Sequence, residues 1–163
     1  MSPSRRRLDQ IDQRILMALQ QDGRITNQAL SEKVGLSPRP CLERVRRLER
    51  EGLIRRYQAV LDIRRLQSCI TVLAQIAMER HGRESRQLFE RRLANTPEVV
   101  ECFEVSGAFD YVAKLICPDI DAYQELTQSW IDDSELGVVR VTSNIVLRPV
   151  RDMAPIPLFG QEE

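Results

Sequence analysis

The chain has 163 residues, 42% hydrophobic and 29% charged, an ordinary globular composition that excludes a disordered polymer. Its 24 basic and 24 acidic residues cancel, so net charge alone names no partner. Their distribution is uneven: residues 1–57 carry 13 Lys/Arg against 7 Asp/Glu, and residues 58–163 carry 11 against 17. A basic front and an acidic back point to two modules with two jobs.

Several classes are excluded by pattern. The longest uncharged run, Leu66 to Met78, is interrupted by Gln67, Ser68, Thr71 and Gln75, whereas a membrane-spanning helix needs about 20 apolar residues. Arg5, Arg6 and Arg7 have no apolar stretch behind them, so no secretory signal is expected. Cys41, Cys69, Cys102 and Cys117 lack paired spacing and are expected as reduced thiols in a cytosol.

In chain order, Leu8, Ile11, Ile15, Leu16 and Leu19 follow helical spacing, with Asp9 as N-cap and Asp12 in the first turn. Gln20-Gln21-Asp22-Gly23 ends that helix. Thr26 caps a second helix facing inward through Ala29, Leu30 and Val34, and Gly35 closes it. Ser37 and Pro38 open a third helix that runs to Glu51 and stops at Gly52. Two short helices joined by Gly35-Leu36-Ser37 form a helix-turn-helix pattern.

The third helix is the informative one. Cys41, Val45 and Leu48 form its inward stripe; Arg39, Glu43, Arg46, Arg47 and Arg50 form the opposite face, with Arg44 on the border. A charged outer face keeps many helices soluble, but here four of five outward residues are arginine in a basic module. The arginine fork donates two parallel hydrogen bonds and suits guanine edges and phosphate. Leu53 to Leu61 reads as an extended wing strand, with Arg55 and Arg56 in reach of phosphates. The candidate DNA contacts are therefore Ser37, Arg39, Glu43, Arg44, Arg46, Arg47, Arg50 and Arg55.

The back half alternates strand and helix signals. Ile70 to Met78 is a strand, His81-Gly82 a turn, and Leu88, Phe89 and Leu93 mark a helix ending before Pro97. Val99 to Val105 alternates with period two, Ser106-Gly107-Ala108-Phe109 turns, and Asp110 to Cys117 completes a hairpin. Asp119 to Ser134 is a helix with Ile120, Tyr123, Leu126, Thr127 and Trp130 on one side; Gly137 ends it, and Val138 to Leu147 is the last strand. The order βαββαβ is ferredoxin-like. Helices on one face of a small sheet leave the other face open, and a second copy is the simplest cover.

The run Leu36-Ser37-Pro38-Arg39-Pro40-Cys41-Leu42-Glu43-Arg44-Val45-Arg46-Arg47-Leu48-Glu49-Arg50-Glu51-Gly52-Leu53-Ile54 closely resembles the recognition helix of the Lrp/AsnC family of transcriptional regulators. The opening Leu8-Asp9, Asp12, Ile15-Leu16, Leu19-Gln20 and Asp22-Gly23-Arg24 is similar to the same family's start, and the resemblance covers nearly the whole chain. It implies dimers formed through the second domain, further assembly up to octamers, and an effector site at the loop Ser106-Gly107-Ala108-Phe109-Asp110-Tyr111. There, backbone N–H groups at the Gly107 turn suit an amino acid's carboxylate and Asp110 its ammonium, with Thr142 and Ser143 completing the pocket. Asn144 adds a further short polar group.

The expected fold is α+β: a winged helix-turn-helix followed by a ferredoxin-like βαββαβ domain. Its expected parts are a DNA-binding domain at 1–57, a hinge strand at 58–69, an effector-binding and oligomerisation domain at 70–150, and a tail at 151–163. The expected function is transcriptional regulation by sequence-specific DNA binding in the cytoplasm, at the nucleoid, responsive to an amino acid or related small metabolite and controlling amino-acid metabolism genes, with homo-oligomers and no membrane partner. A ligand-independent architectural DNA binder is the alternative. No nucleophile–base pair, metal-ligand spacing or phosphate-binding glycine motif points to an enzyme, a metal or a cofactor.

Overall fold

A computed structural model describes residues 8–79, 82–151 and 154–158. Arg5–Arg7 and His81, discussed above, lie outside the described residues. No described helix is long and apolar enough to cross a membrane. The chain divides into two compact units, residues 1–60 with 151–163, and residues 61–150.

The first unit is a three-helix bundle of α1 (Gln10–Gln21), α2 (Asn27–Val34) and α3 (Pro38–Arg50). The local signals act as expected. Asp9 accepts from the Asp12 N–H, Thr26 accepts from Ala29, and Gly35 takes the left-handed conformation (φ 74°) that ends α2. Ser37 holds the N-cap position of α3 without a side-chain cap bond, and Pro38 sits in the first turn. Ile15, Ala18, Leu30, Val34, Cys41 and Leu48 form the core. One inward position differs from expectation. Ala29 is exposed and Ser31 is buried in its place, its hydroxyl satisfied by the Gln28 carbonyl at 2.7 Å.

The expected wing strand, Leu53 to Leu61, forms no ladder among the described residues, and the expected hinge strand at 58–69 contains instead a one-turn helix, α4 (Ile63–Leu66). An apolar-rich segment becomes a strand only where a partner edge is present, and none is offered here. Tyr57 anchors the segment by donating to Glu49 at 2.9 Å. The described tail joins this unit too. The Gln20 amide donates to the Ile156 carbonyl (3.2 Å) and accepts from the Ile156 N–H (2.6 Å).

The second unit contains β1 (Ile70–Met78), α5 (Arg83–Ala94), β2 (Val99–Glu104), β3 (Tyr111–Cys117), α6 (Ile120–Asp132), a 3-10 turn (Ser134–Leu136) and β4 (Val138–Ile145). The antiparallel sheet has the order β2-β3-β1-β4, as the ferredoxin-like reading requires. Val72, Ala74 and Ile76 of β1 alternate inward with Ala113 and Leu115 of β3. Trp130 is fully buried, its ring edge-to-face with Phe89 at 5.6 Å, so it belongs to the core.

Strand β2 departs from strict alternation. Its register shifts between Val99 and Glu101, so Val99 and Cys102 both face the core and Val100 is an exposed bulge. The sheet's other face presents Leu73, Phe103 and Thr142, all exposed.

Candidate functional site

Helix α3 sorts its arginines into two groups. Arg39, Glu43, Arg46 and Arg50 recur at spacings of four, three and four and form one exposed stripe opposite the buried Cys41 and Leu48. Arg39 is 92% exposed and its ion pair with Glu43, at 3.4 Å, is a weak surface contact. Ser37 and Arg55 are also exposed.

Arg44 and Arg47 turn the other way. Arg44 donates to Asp9 at 2.5 Å and to Asp12 at 2.8 Å, and Arg47 pairs with the second oxygen of Asp12. The Asp12 side chain is only 4% exposed. Arg47, expected on the outer face, is therefore half-buried against α1. Burial pushes the Asp9 carboxyl up, but the Asp12 N–H and the guanidinium groups of Arg44 and Arg47 outweigh it and hold the acid below its ordinary value. Hydrogen bonds to Asp9 and Asp12 hold the Arg44 guanidinium above its own. Asp12 carried a clear helix-start signal in the sequence. Its pairing with residues more than thirty positions away carried none.

At the other site, Ser106, Gly107 and Ala108 are exposed, and Gly107 has φ 124°, which disfavours any side chain. The N–H groups of residues 106–109 make no hydrogen bond among the described residues. Asp110 closes the loop. Its N–H donates to the Ile76 carbonyl, and its carbonyl accepts from Val105, each at 2.9 Å. Its carboxylate is already engaged, accepting from the Met78 N–H at 2.8 Å and from Arg86 at 2.5 Å. Arg86 also pairs with Glu104 at 3.2 Å.

The remaining candidates divide between the two sides of the sheet. The guanidinium of Arg140 lies 5.3 Å from the centre of the Phe109 ring, a cation–π contact that brings β4 to the loop. Thr142 pairs with Gln75 on that open side. Ser143 pairs with the buried Ala74 and shares a 2.5 Å hydrogen bond with Tyr123, so it faces the helices. Tyr111 is 2% exposed and donates to Glu90; burial and that carboxylate push its phenol up to about 12. Loop residues 106–109 and Thr142 thus remain accessible from the open side, whereas Tyr111 and Ser143 do not share it. Arg86 and Arg140 had no distinguishing signal in the sequence.

Comparison with known proteins follows the same division. Residues 8–55 match the family model for a winged helix-turn-helix DNA-binding domain, and residues 71–156 match that for the Lrp/AsnC ligand binding domain. The chain is 47% identical, over 119 residues covering 73% of each sequence, to the leucine-responsive regulatory proteins of Salmonella typhimurium and Escherichia coli. A transcriptional regulator from Neisseria meningitidis, solved as a complex with L-Met, superimposes with TM-score 0.85 at 31% identity over 93% of this chain and 97% of that one. An AsnC family regulator from Agrobacterium tumefaciens gives TM-score 0.83 at 32% identity, over 92% and 97%.

Proposed function

Because the chain belongs to the Lrp/AsnC family of DNA-binding transcriptional regulators, we propose that its effector is an amino acid received at the loop 106–109 and that the stripe Arg39, Arg46 and Arg50 makes its main DNA contacts. Four successive N–H groups without a partner among the described residues, around a glycine at φ 124°, carry the effector reading, since such a turn suits a carboxylate. The methionine complex of the Neisseria relative and the leucine-responsive naming of the enterobacterial relatives support the same ligand class.

On the DNA side, Arg39, Arg46 and Arg50 reach phosphates or guanine edges, while Glu43 accepts from a cytosine amino group. Ser37 at the helix start and Arg55 after the helix add backbone contacts. Arg44 and Arg47 play a lesser part, because their guanidinium groups are paired within the domain. The working assembly is a homodimer or a higher multiple that covers the open sheet face of residues 70–150, with residues 1–57 as DNA-binding domains joined by 58–69. It acts in the cytoplasm, at the nucleoid.

Ligand binding would act by shifting populations of DNA-competent arrangements. Thermal denaturation against the twenty amino acids tests this reading. A ligand that binds only the folded state stabilises it by about 2.7 kcal/mol at a hundredfold excess over its dissociation constant. At least one amino acid should raise the melting temperature of the wild type and not of Gly107→Ala. If none does, the chain is a ligand-independent architectural DNA binder.

A further inference from the structure

We infer that Asp12, a residue of α1 outside the DNA-contacting stripe, is a specificity-determining positioning residue that withholds Arg44 and Arg47 from DNA and sets which face of α3 the duplex meets. The inference rests on the reading of α3 as the DNA-contacting helix. Its geometry is simple. One carboxylate, 4% exposed, takes Arg44 on one oxygen and Arg47 on the other. The two arginines lie one turn apart on the flank of α3, between the buried residues Cys41 and Leu48 and the exposed stripe. A clamp at two points one turn apart fixes the rotation of a helix about its own axis. Asp9 adds a second carboxylate to Arg44 and is itself held by the Asp12 N–H at 2.7 Å.

The electrostatic consequence concerns discrimination. Arginines that neutralise phosphate raise affinity for every sequence alike, whereas contacts to base edges raise it for one. Two guanidinium groups compensated inside the domain release few counterions, so the helix presents three exposed arginines to DNA rather than five. Releasing Arg47 or Arg44 should therefore strengthen binding to any duplex and erode preference for the right one.

The experiment uses the full-length protein and two labelled duplexes, one selected by the wild type from a random library and one with its bases scrambled. Binding is measured over a series of salt concentrations. On the scrambled duplex, Asp12→Asn should steepen the dependence of log K on log salt by about one to two units, since each added phosphate contact contributes about 0.9. One added contact changes the loss of affinity between about 50 and 200 mM salt by about 3.5-fold. The ratio of selected to scrambled affinity should fall. Asp12→Asn/Arg47→Met should move back toward the wild-type slope, and Arg47→Met alone should leave the slope unchanged, which keeps the test alive if Asp12→Asn folds poorly. Arg46→Ala, as reference, should lower the slope by about one. A slope lowered by about one in Arg47→Met, or unchanged in a folded Asp12→Asn protein, overturns the inference. If Arg46→Ala also changes nothing, the inference falls together with the reading of α3 on which it rests.

Discussion

Arg86 on α5 reaches the carboxylate of Asp110 at 2.5 Å and, with the Met78 N–H on the second oxygen, fixes the end of the loop 106–109 to both the helix layer and the sheet. A carboxylate so engaged serves first as a strut. Any ligand ammonium must share it with Arg86.

Replacing Asp110 by Asn should therefore lower stability as well as ligand response. The pair is partly exposed, 36% for Arg86 and 25% for Asp110, so a loss of about 1–2 kcal/mol is expected after allowing for solvent screening. Urea unfolding gives the stability, and the melting shift with the effector gives the response. Undiminished stability with an abolished response would identify Asp110 as a ligand contact alone.

Opposite the helices, Phe103 (60% exposed) and Leu73 (40%) mark the face proposed to meet a second copy. Phe103→Asp places a charge where apolar surface would be buried. Sedimentation should show a smaller assembly than the wild type at equal concentration. An unchanged mass would move the interface elsewhere.

The three tyrosines predict an alkaline signature. Burial first and neighbouring Glu49 second push Tyr57 to about 12; burial and Glu90 do the same for Tyr111; burial raises Tyr123 as well. A group whose folded pKa is raised is stabilising below its unfolded value and loses that effect as pH rises through the folded one. Stability should thus fall between about pH 10 and about pH 12, as unfolded phenols ionise first. Phenolate absorbance should appear near pH 10 in the unfolded protein and only well above it in the native one. Native titration near pH 10 would contradict the contacts of Tyr57 and Tyr111.

At the acid end, Asp9 has the opposite sign. Its lowered pKa stabilises the fold above its ordinary value of about 3.8 and loses that effect as pH falls through the folded value. Asp9→Asn should flatten the acid limb of the stability curve. A limb that is identical in the variant would remove Asp9 from the network.

Within the first unit, Leu48 is fully buried between the helices. Leu48→Ala should cost about 2–5 kcal/mol by lost burial and cavity formation, measured by urea unfolding followed by circular dichroism. A loss below about 1 kcal/mol would mean that this core collapses around the gap.

What was legible in the sequence was local chemistry. Asp9, Thr26 and Gly35 act within a few residues of themselves, and the apolar, β-branched run Ile70 to Met78 reads as a strand without knowledge of its partners. What stayed hidden depends on distant partners. Helical spacing puts Arg47 outside, and only the buried Asp12 of α1 turns it back. Val99 to Val105 reads as a plain period of two, but apolar residues stand at both of its phases, so nothing in the sequence marks the bulge at Val100. Leu53 to Leu61 has strand-like composition, yet no edge among the described residues pairs with it. In the loop 106–109, the glycine turn is visible from its residues, while Arg86 and Arg140 arrive from other elements and look like ordinary surface cations.

The most direct test of the account is the affinity of the full-length protein for its selected duplex, measured by fluorescence anisotropy with and without the amino acid that raises its melting temperature. Coupling between sites in proteins is commonly about 1–3 kcal/mol, or roughly 5- to 150-fold. The account predicts a change of about fivefold or more in Kd, in either direction, abolished in Gly107→Ala while its ligand-free affinity is kept. An amino acid that binds and stabilises the protein but leaves Kd unchanged would contradict it.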